Sequence, residues 1–224
     1  MSFIDQSSTP DRVRTEHSRL FAAVLADTLD RMGYREQVVD QRVKHMAGPA
    51  RLLGPARTVR VETVDAAPQE PYAVLLMAID TASAGDVLVM DAGGQVTSGL
   101  FGGLLANACR SAGIRGAVVD GGIRDIAELE LLDFPTFGAA THPSDSYSRQ
   151  EVVEFDVPVK LGGTLVRPGD HLMADGDGIV VIPGDIVNDV FARAVQKIET
   201  ESEMRASLKQ GMRLREAFAT YGVL

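Results

Sequence analysis

Two uninterrupted apolar runs, helix and strand signals that alternate through the first 140 residues, and a series of short β-like pieces after Ser144 predict an α/β fold of three layers. The runs are Asp86-Val-Leu-Val-Met-Asp91, bounded by Gly85 and Gly93-Gly94, and Ala117-Val-Val119. Runs of this kind fit strands covered on both faces, as parallel sheets require. The β-like pieces predict an antiparallel layer stacked on that α/β half.

The elements follow in order. From about Glu16 to Met32, Leu20, Phe21, Val24, Leu25, Leu29 and Met32 recur at helical spacing and Gly33 supplies the stop. Asp27 lies at the edge of that stripe. Ala47 to Pro55 is punctuated by Gly and Pro, and Ala56 to Val64 alternates as a half-buried strand. A helix is expected over Tyr72–Ile79, and another over the central stretch, with Leu105, Ala108, Cys109 and Ala112 on its apolar face. Ile126–Leu132 reads as a short helix and Pro135–Ala140 as a strand. Val152–Val157, Val159–Leu161, Leu165-Val166, His171–Ala174 and Gly178–Ile182 are β-like, separated by Gly162-Gly163, Pro168-Gly-Asp170 and a turn at Asp175-Gly-Asp-Gly178. A long helix from about Gly184 to Gln210 and an amphipathic tail over Leu214–Tyr221 close the chain.

With 224 residues and 45% hydrophobic composition, the chain can bury one substantial core and is too short for two ordinary domains, so one domain over residues 1–224 is expected. Its net charge of −9 argues against nucleic acid, which needs a basic stripe. No apolar run approaches the roughly 20 residues that span a bilayer, and Met1–Asp11 carries no signal-peptide core, so a cytoplasmic protein without membrane contact is expected. One cysteine excludes an internal disulfide, and Cys109 falls on an apolar helix face as an inert packed thiol. No two of His17, His45, His142 and His171 share a metal-ligand spacing, and none accompanies a nucleophile.

The polar chemistry gathers between Gly99 and Asp125. Gly99-x-x-Gly102-Gly103 is neither a dinucleotide fingerprint nor a Walker loop. It is either a loop that needs close backbone packing or, through the N–H groups of Leu104 and Leu105 at a helix start, an anion nest. Asp125 suits a helix cap, with Glu128 completing a capping box; beside Arg124, it also suits a carboxylate and cation site. On the last long helix, Val187, Phe191, Ala194, Val195 and Ile198 form a stripe that continues through Glu201 and Arg205. Glu201 there either pairs with Arg205 one turn on or reaches a neighbouring subunit.

Ala56-Arg-Thr-Val, Gly116-x-Val-Val-Asp120-Gly-x-Ile-Arg124-Asp125, Asp156-Val-Pro-Val, Gly162-Gly163, Pro168-Gly-Asp170 and Ala174-Asp-x-Asp-Gly178-Ile-Val-Val-Ile-Pro183 occur in this order. Together they resemble the RraA-like family, from about Ala23 to Gly211. That family includes the 4-hydroxy-4-methyl-2-oxoglutarate and 4-carboxy-4-hydroxy-2-oxoadipate aldolases and the regulators of ribonuclease E activity. The resemblance implies a swivelling β/β/α fold, homotrimers or hexamers, and active sites between subunits. It also implies that Arg124 binds the pyruvyl oxygens and acts in catalysis. Gly102, Gly103, Leu104 and Leu105 would form the pyruvate-carboxylate nest. Asp125, with Glu201 from the adjoining subunit, would hold a divalent cation, Mg²⁺ or Mn²⁺.

The family motif is an acidic residue, twenty intervening residues, then Arg-Asp. Here the acidic position is Gly103, which cannot move a proton. The resemblance therefore implies a metal-dependent lyase acting on pyruvate-derived 2-oxo acids, with oxaloacetate decarboxylation less impaired than aldol cleavage. The alternatives are a non-catalytic regulator of ribonuclease activity and an enzyme on another oxo or hydroxy acid, its base drawn from elsewhere in the pocket.

Overall fold

A computed structural model describes residues 18–224. The first helix, α1, is Ala22–Arg31, so the Glu16 start and His17 expected from periodicity, like the N-terminal reading of Met1–Asp11, lie outside the described residues. Strand β1 (Lys44–Ala47) precedes β2 (Leu52–Thr63), which begins earlier than the Gly and Pro content suggests. The reason is a change of partner at Pro55, which has no N–H to donate. Residues Leu52 to Pro55 pair with a strand from the second half, and Ala56 to Arg60 pair with β3 (Val87–Asp91). Helix α2 (Ala73–Asp80) lies between them in sequence.

Next come β4 (Gly99–Phe101), α3 (Gly103–Ser111), β5 (Gly116–Ile123), α4 (Ile126–Leu131) and β6 (Thr136–Thr141). The stretch read as a glycine loop thus contains a short buried strand, which pairs in parallel with the end of β5. The second half supplies β7 (Gln150–Phe155), β8 (Val159–Leu161), β9 (Thr164–Val166), β10 (His171–Asp175) and β11 (Gly178–Ile182). Helices α5 (Val187–Lys209) and α6 (Leu214–Tyr221) close the chain.

The main sheet runs β1-β6-β5-β3-β2-β10-β11, with β4 added on β5 and β7 on β2; β8 and β9 form a separate pair. β2, β3, β5 and β6 are mutually parallel, and every pairing made by β7 to β11 is antiparallel. The antiparallel second half expected from the sequence is present, although most of it joins the main sheet through β2.

Alternation along the central strands builds the layers. Leu88, Met90, Ala117 and Val119 face one core with α2, α3 and α4, while Val87, Val89 and Val118 face another with the β8–β9 and β10–β11 hairpins. A third cluster packs α1 and α5 against β10 and β11. This is the expected three-layer swivelling β/β/α arrangement. Asp175 fixes the outer layer as a turn residue: its carboxylate accepts from Asp177 N (2.9 Å) and from Ala22 N (2.7 Å) at the start of α1.

A charged latch ties the layers beside the central strand. Asp120 of β5 is fully buried and accepts from Arg42 Nε (3.0 Å), Arg42 Nη2 (2.8 Å) and Gly162 N (3.0 Å). Among the described residues, no helix is long and apolar enough to cross a membrane.

Candidate functional site

Strand β5 delivers Arg124 and Asp125 at its end, where Arg124 N donates to Phe101 O of β4 (2.9 Å). Asp125 then takes the left-handed conformation, φ 57° and ψ 39°, before α4 begins. A non-glycine residue there carries local strain, which Asp tolerates better than most and which gathers at functional sites. The turn aims the Asp125 carboxylate back across the chain, where Oδ2 accepts from Gly103 N (3.1 Å) at the start of α3. Asp125 occupies the cap position of α4 without a side-chain cap bond, so the capping box does not form. Its carboxylate serves the neighbouring helix instead.

The freed partner of that box is the residue missed by sequence reasoning. A Cβ placed on Gly103 would overlap the Glu128 carboxylate, lying 2.6 Å from Oε1 and closer still to Cδ and Oε2. One placed on Gly102 would lie 2.5 Å from Asp125 Oδ2 and 2.8 Å from Arg124 Cγ. The two glycines allow a close approach: the Asp125 and Glu128 side chains sit over the backbone that precedes and starts α3. Asn107, one turn along α3, donates to Gly103 O (3.0 Å) and to Glu128 Oε1 (3.3 Å), holding Glu128 in place. The signal was the Arg124-Asp125-x-x-Glu128 spacing, which puts Glu128 on the first turn of α4 behind the Arg-Asp turn.

Arg124, Asp125, Gly102, Leu104 and Leu105 all line one cleft of about 410 Å³, joined by Tyr72, Leu76 and Asp145. The amides of Leu104 and Leu105 stand in the first turn of α3, where no acceptor lies within the helix. The close-packing account of the glycines holds; of the four residues expected in the nest, Gly103 does not line the cleft, and its N–H is taken by Asp125. Arg124 is held loosely, at 3.7 Å from Asp125 Oδ2 and 3.5 Å from Asp145 Oδ1, so its planar N–H fork can take a substrate carboxylate or carbonyl. Tyr72 donates its hydroxyl to Asp145 Oδ1 (3.2 Å), and its backbone, also left-handed at φ 65°, is pinned by donation to the buried Glu151 (2.7 Å). Burial pushes the Tyr72 phenol up, a bond with Ser146 opposes the rise, and the charge of Asp145 adds to it. A larger depression of about 800 Å³, bordered by Arg51 and Arg115, shares no residue with this cleft.

The helical stripes hold, with two differences at single residues, Ala108 and Glu201. On α3 the buried face is Gly103, Ala106 and Cys109; Leu105 packs half-buried against the same core, as expected, while bordering the cleft, and Ala108, expected on that face, is exposed at the cleft. Burial pushes the Cys109 thiol up to about 12. On α5 the expected stripe of Val187, Phe191, Ala194, Val195 and Ile198 packs in the third cluster, and the buried residues also include Val190, Lys197 and Met204. Glu201 pairs with Lys197 (2.9 Å) rather than with Arg205, and Lys197 also holds Asp27 (2.6 Å). Burial opposes the Lys197 charge, and the bonds to Asp27 and Glu201 outweigh it, so its pKa stands above the ordinary value. Glu201 does not line the cleft of its own chain.

Asp125 and Glu128 are the carboxylates of this edge that could hold a divalent cation. Asp125 and Glu128 present carboxylate oxygens on adjacent backbone, and Mg²⁺ typically takes one or two carboxylates plus water and substrate oxygens. Among the described residues, no group of three or more His, Cys, Asp or Glu side chains forms a self-sufficient metal cage.

The layers and this edge define a mixed α/β protein with a guanidinium, carboxylates and a glycine-led helix start gathered where the central strands end. Comparison makes the class specific. The RraA-like model, described as Aldolase/RraA, matches residues 22–181, and the chain belongs to that family. A 4-hydroxy-4-methyl-2-oxoglutarate aldolase of Thermus thermophilus is 36% identical over 140 residues, 62% of this chain and 80% of that protein. The structure of Streptomyces coelicolor RraAS2, described as an unusual member of the RNase ES inhibitor RraA family, superposes with a TM-score of 0.75 at 29% identity, covering 87% of this chain and 96% of that one. The RNA-processing inhibitor RraA from Thermus thermophilus gives 0.58 at 31% identity, covering 70% and 92%.

Proposed function

We propose that the chain is a divalent-metal-dependent lyase that cleaves 4-hydroxy-2-oxo acids to pyruvate and decarboxylates oxaloacetate. The observation that carries this reading is the Glu128 carboxylate lying over Gly103, beside the Arg124-Asp125 turn. It supplies an acid at the place where the family motif has one and this chain has glycine.

In this reading each residue takes one role. The amides of Leu104 and Leu105 receive the substrate carboxylate at the helix start. Arg124 donates to the pyruvyl oxygens and favours the negative charge that develops as the C3–C4 bond breaks. Glu128 takes the proton of the 4-hydroxyl; the C3–C4 electron pair moves to the pyruvyl fragment, C4 becomes a carbonyl, and protonation of C3 releases pyruvate. Asp125, with Glu128 close by, would hold the cation, Mg²⁺ or Mn²⁺, which when bound supplies Lewis-acid charge at the same oxygens. Glu201 from an adjoining subunit of a trimer or hexamer would complete the ligand set.

Pyruvate release from oxaloacetate and from 4-hydroxy-4-methyl-2-oxoglutarate, with Mg²⁺ or Mn²⁺ and then with EDTA, tests this. Metal-dependent release from both, with the Glu128→Gln variant losing mainly aldol cleavage, is the expected result. Absence of metal-dependent turnover of either substrate would overturn it.

The second reading, a non-catalytic regulator of ribonuclease activity, is favoured by the likeness to the two RraA structures. A pull-down with ribonuclease E fragments separates it, since a regulator must form a stable complex. The Glu128 carboxylate beside Gly103 supports the lyase reading against it.

A further inference from the structure

Every route to pyruvate ends with a proton placed on C3. Cleavage of a 4-hydroxy-2-oxo acid and decarboxylation of oxaloacetate both break the C3–C4 bond and leave an enolate. Glu128 gathers a proton only from a 4-hydroxyl, which oxaloacetate lacks, so an acid that serves both reactions must come from elsewhere. Among the described side chains lining the cleft, Asp125 and Asp145 accept hydrogen bonds, and Arg124 keeps its protons at any working pH. Hydroxyls come from Tyr72 and Ser146, and of the two the phenol gives up a proton far more readily.

Tyr72 also stands where the proton is needed. Its hydroxyl donates to Asp145 Oδ1 (3.2 Å), the oxygen that Arg124 Nη1 approaches at 3.5 Å, so phenol and guanidinium flank one carboxylate oxygen. In the lyase reading C3 is two bonds from the C2 oxygen that Arg124 receives. Both ends of this arrangement are fixed by backbone. Tyr72 is held in its left-handed conformation, φ 65°, by donation from its N–H to the buried Glu151 (2.7 Å), and Asp145 is anchored by its bridge with Gly99. Tyrosine carries strain in that conformation, and such strain gathers at functional sites.

We propose that Tyr72 is a catalytic residue that protonates C3 of the enolate in both reactions. The phenol O–H bond breaks and its proton forms the new C–H bond at C3. The enolate π pair supplies the electrons, and the C2 oxygen returns to a carbonyl. The phenolate is left beside the Asp145 carboxylate, a like-charge pair that draws a proton back from water. Burial, with the charge of Asp145, holds the phenol above its ordinary range, so it carries a proton to give at neutral pH. The proposal rests on the lyase reading and adds the group that completes it.

Two measurements with Mg²⁺ present read this step apart from bond cleavage. Exchange of the pyruvate methyl protons in D₂O, followed by NMR, reads proton transfer at C3. Decarboxylation of oxaloacetate is followed both as CO₂ and, with lactate dehydrogenase, as keto pyruvate, since that enzyme does not reduce the free enol. In the wild-type protein the two products should appear together. In Tyr72→Phe, which keeps the ring, exchange should fall by about 10²-fold or more relative to CO₂ release, the scale of one positioned acid, and keto pyruvate should lag behind CO₂ as the enol leaves unprotonated. Inhibition by oxalate, a flat mimic of the enolate, should be unchanged. A Tyr72→Phe protein whose exchange keeps pace with CO₂ release, without a lag, overturns the proposal and leaves the lyase reading standing. Parallel loss of both rates, or weaker oxalate inhibition, also overturns it, because the hydroxyl would then act through Arg124. Wild-type protein that releases CO₂ without exchanging the methyl protons overturns it as well. If the wild-type protein does neither, the lyase reading fails and the proposal fails with it.

Discussion

Replacing Gly103 by alanine separates the role of Glu128 from the stability of the fold. The new methyl would overlap the Glu128 carboxylate, 2.6 Å from Oε1 and nearer to Cδ and Oε2, so the carboxylate must retreat by about an ångström. Glu128 is exposed and its end is flexible, so the retreat leads into water at little energetic cost. Gly103 does not have a positive φ, and alanine in a helix is favoured over glycine by up to about 1 kcal/mol. Stability should therefore stay within about 1 kcal/mol of wild type, a Tm change of no more than about 4 °C for a domain of this size. Aldol cleavage should fall by about 10²- to 10⁴-fold, the contribution of one positioned base, equivalent to roughly 3 to 5 kcal/mol in the barrier. Oxaloacetate decarboxylation, which needs no base for a 4-hydroxyl, should fall much less. Glu128→Gln should produce the same split, and the double variant should be no worse than either single one, because both remove the same interaction. A folded Gly103→Ala protein with an undiminished aldol rate, or losses that multiply in the double variant, would refute the reasoning.

Three further outcomes follow from the geometry. Arg42→Ala should destabilise by about 3 to 5 kcal/mol in urea unfolding, because it strands the buried Asp120 charge. Asp120→Ala should cost less, since the Arg42 side chain is 43% exposed and can rehydrate, and the double variant should be more stable than Arg42→Ala; the reverse order would contradict the latch. Cys109 should resist a thiol reagent at pH 8 in the native protein and react once with guanidine present; rapid native labelling would contradict its burial. The unfolded chain releases the Cys109 proton near pH 9 and the folded chain only at about 12, so stability present below pH 9 is lost as pH rises through that window. Urea midpoints from pH 8 to 10.5 should fall, and fall less in Cys109→Ala; equal slopes would count against a native thiol held protonated. The Lys197 bridge works in the same direction at higher pH, because its raised pKa keeps the ammonium paired until the solution is well alkaline.

The sequence by itself determined much of this protein. Short continuous apolar runs bounded by glycine fit strands covered on both faces, so β3 and β5 and the layers on either side of them were legible from Val87–Met90 and Ala117–Val119. The Arg124-Asp125 turn and the amides of Leu104 and Leu105 were legible too, because a helix start and a strand end carry their polar groups wherever they fall. Tertiary structure decided which way the side chains at those boundaries point. By its spacing Glu128 belongs to a local cap, and only the left-handed turn at Asp125 and the bare Gly103 opposite it turn that carboxylate toward α3. Ala108 reads as core because periodicity counts residues along one helix, and only the tertiary structure leaves that position open at the cleft. Glu201 met Lys197 rather than Arg205 for the same reason: the partner of a charge on one side of a helix is chosen by what packs there, here Asp27 and α1. Patterns along the chain fix the elements, and the contacts between elements fix the chemistry at their ends.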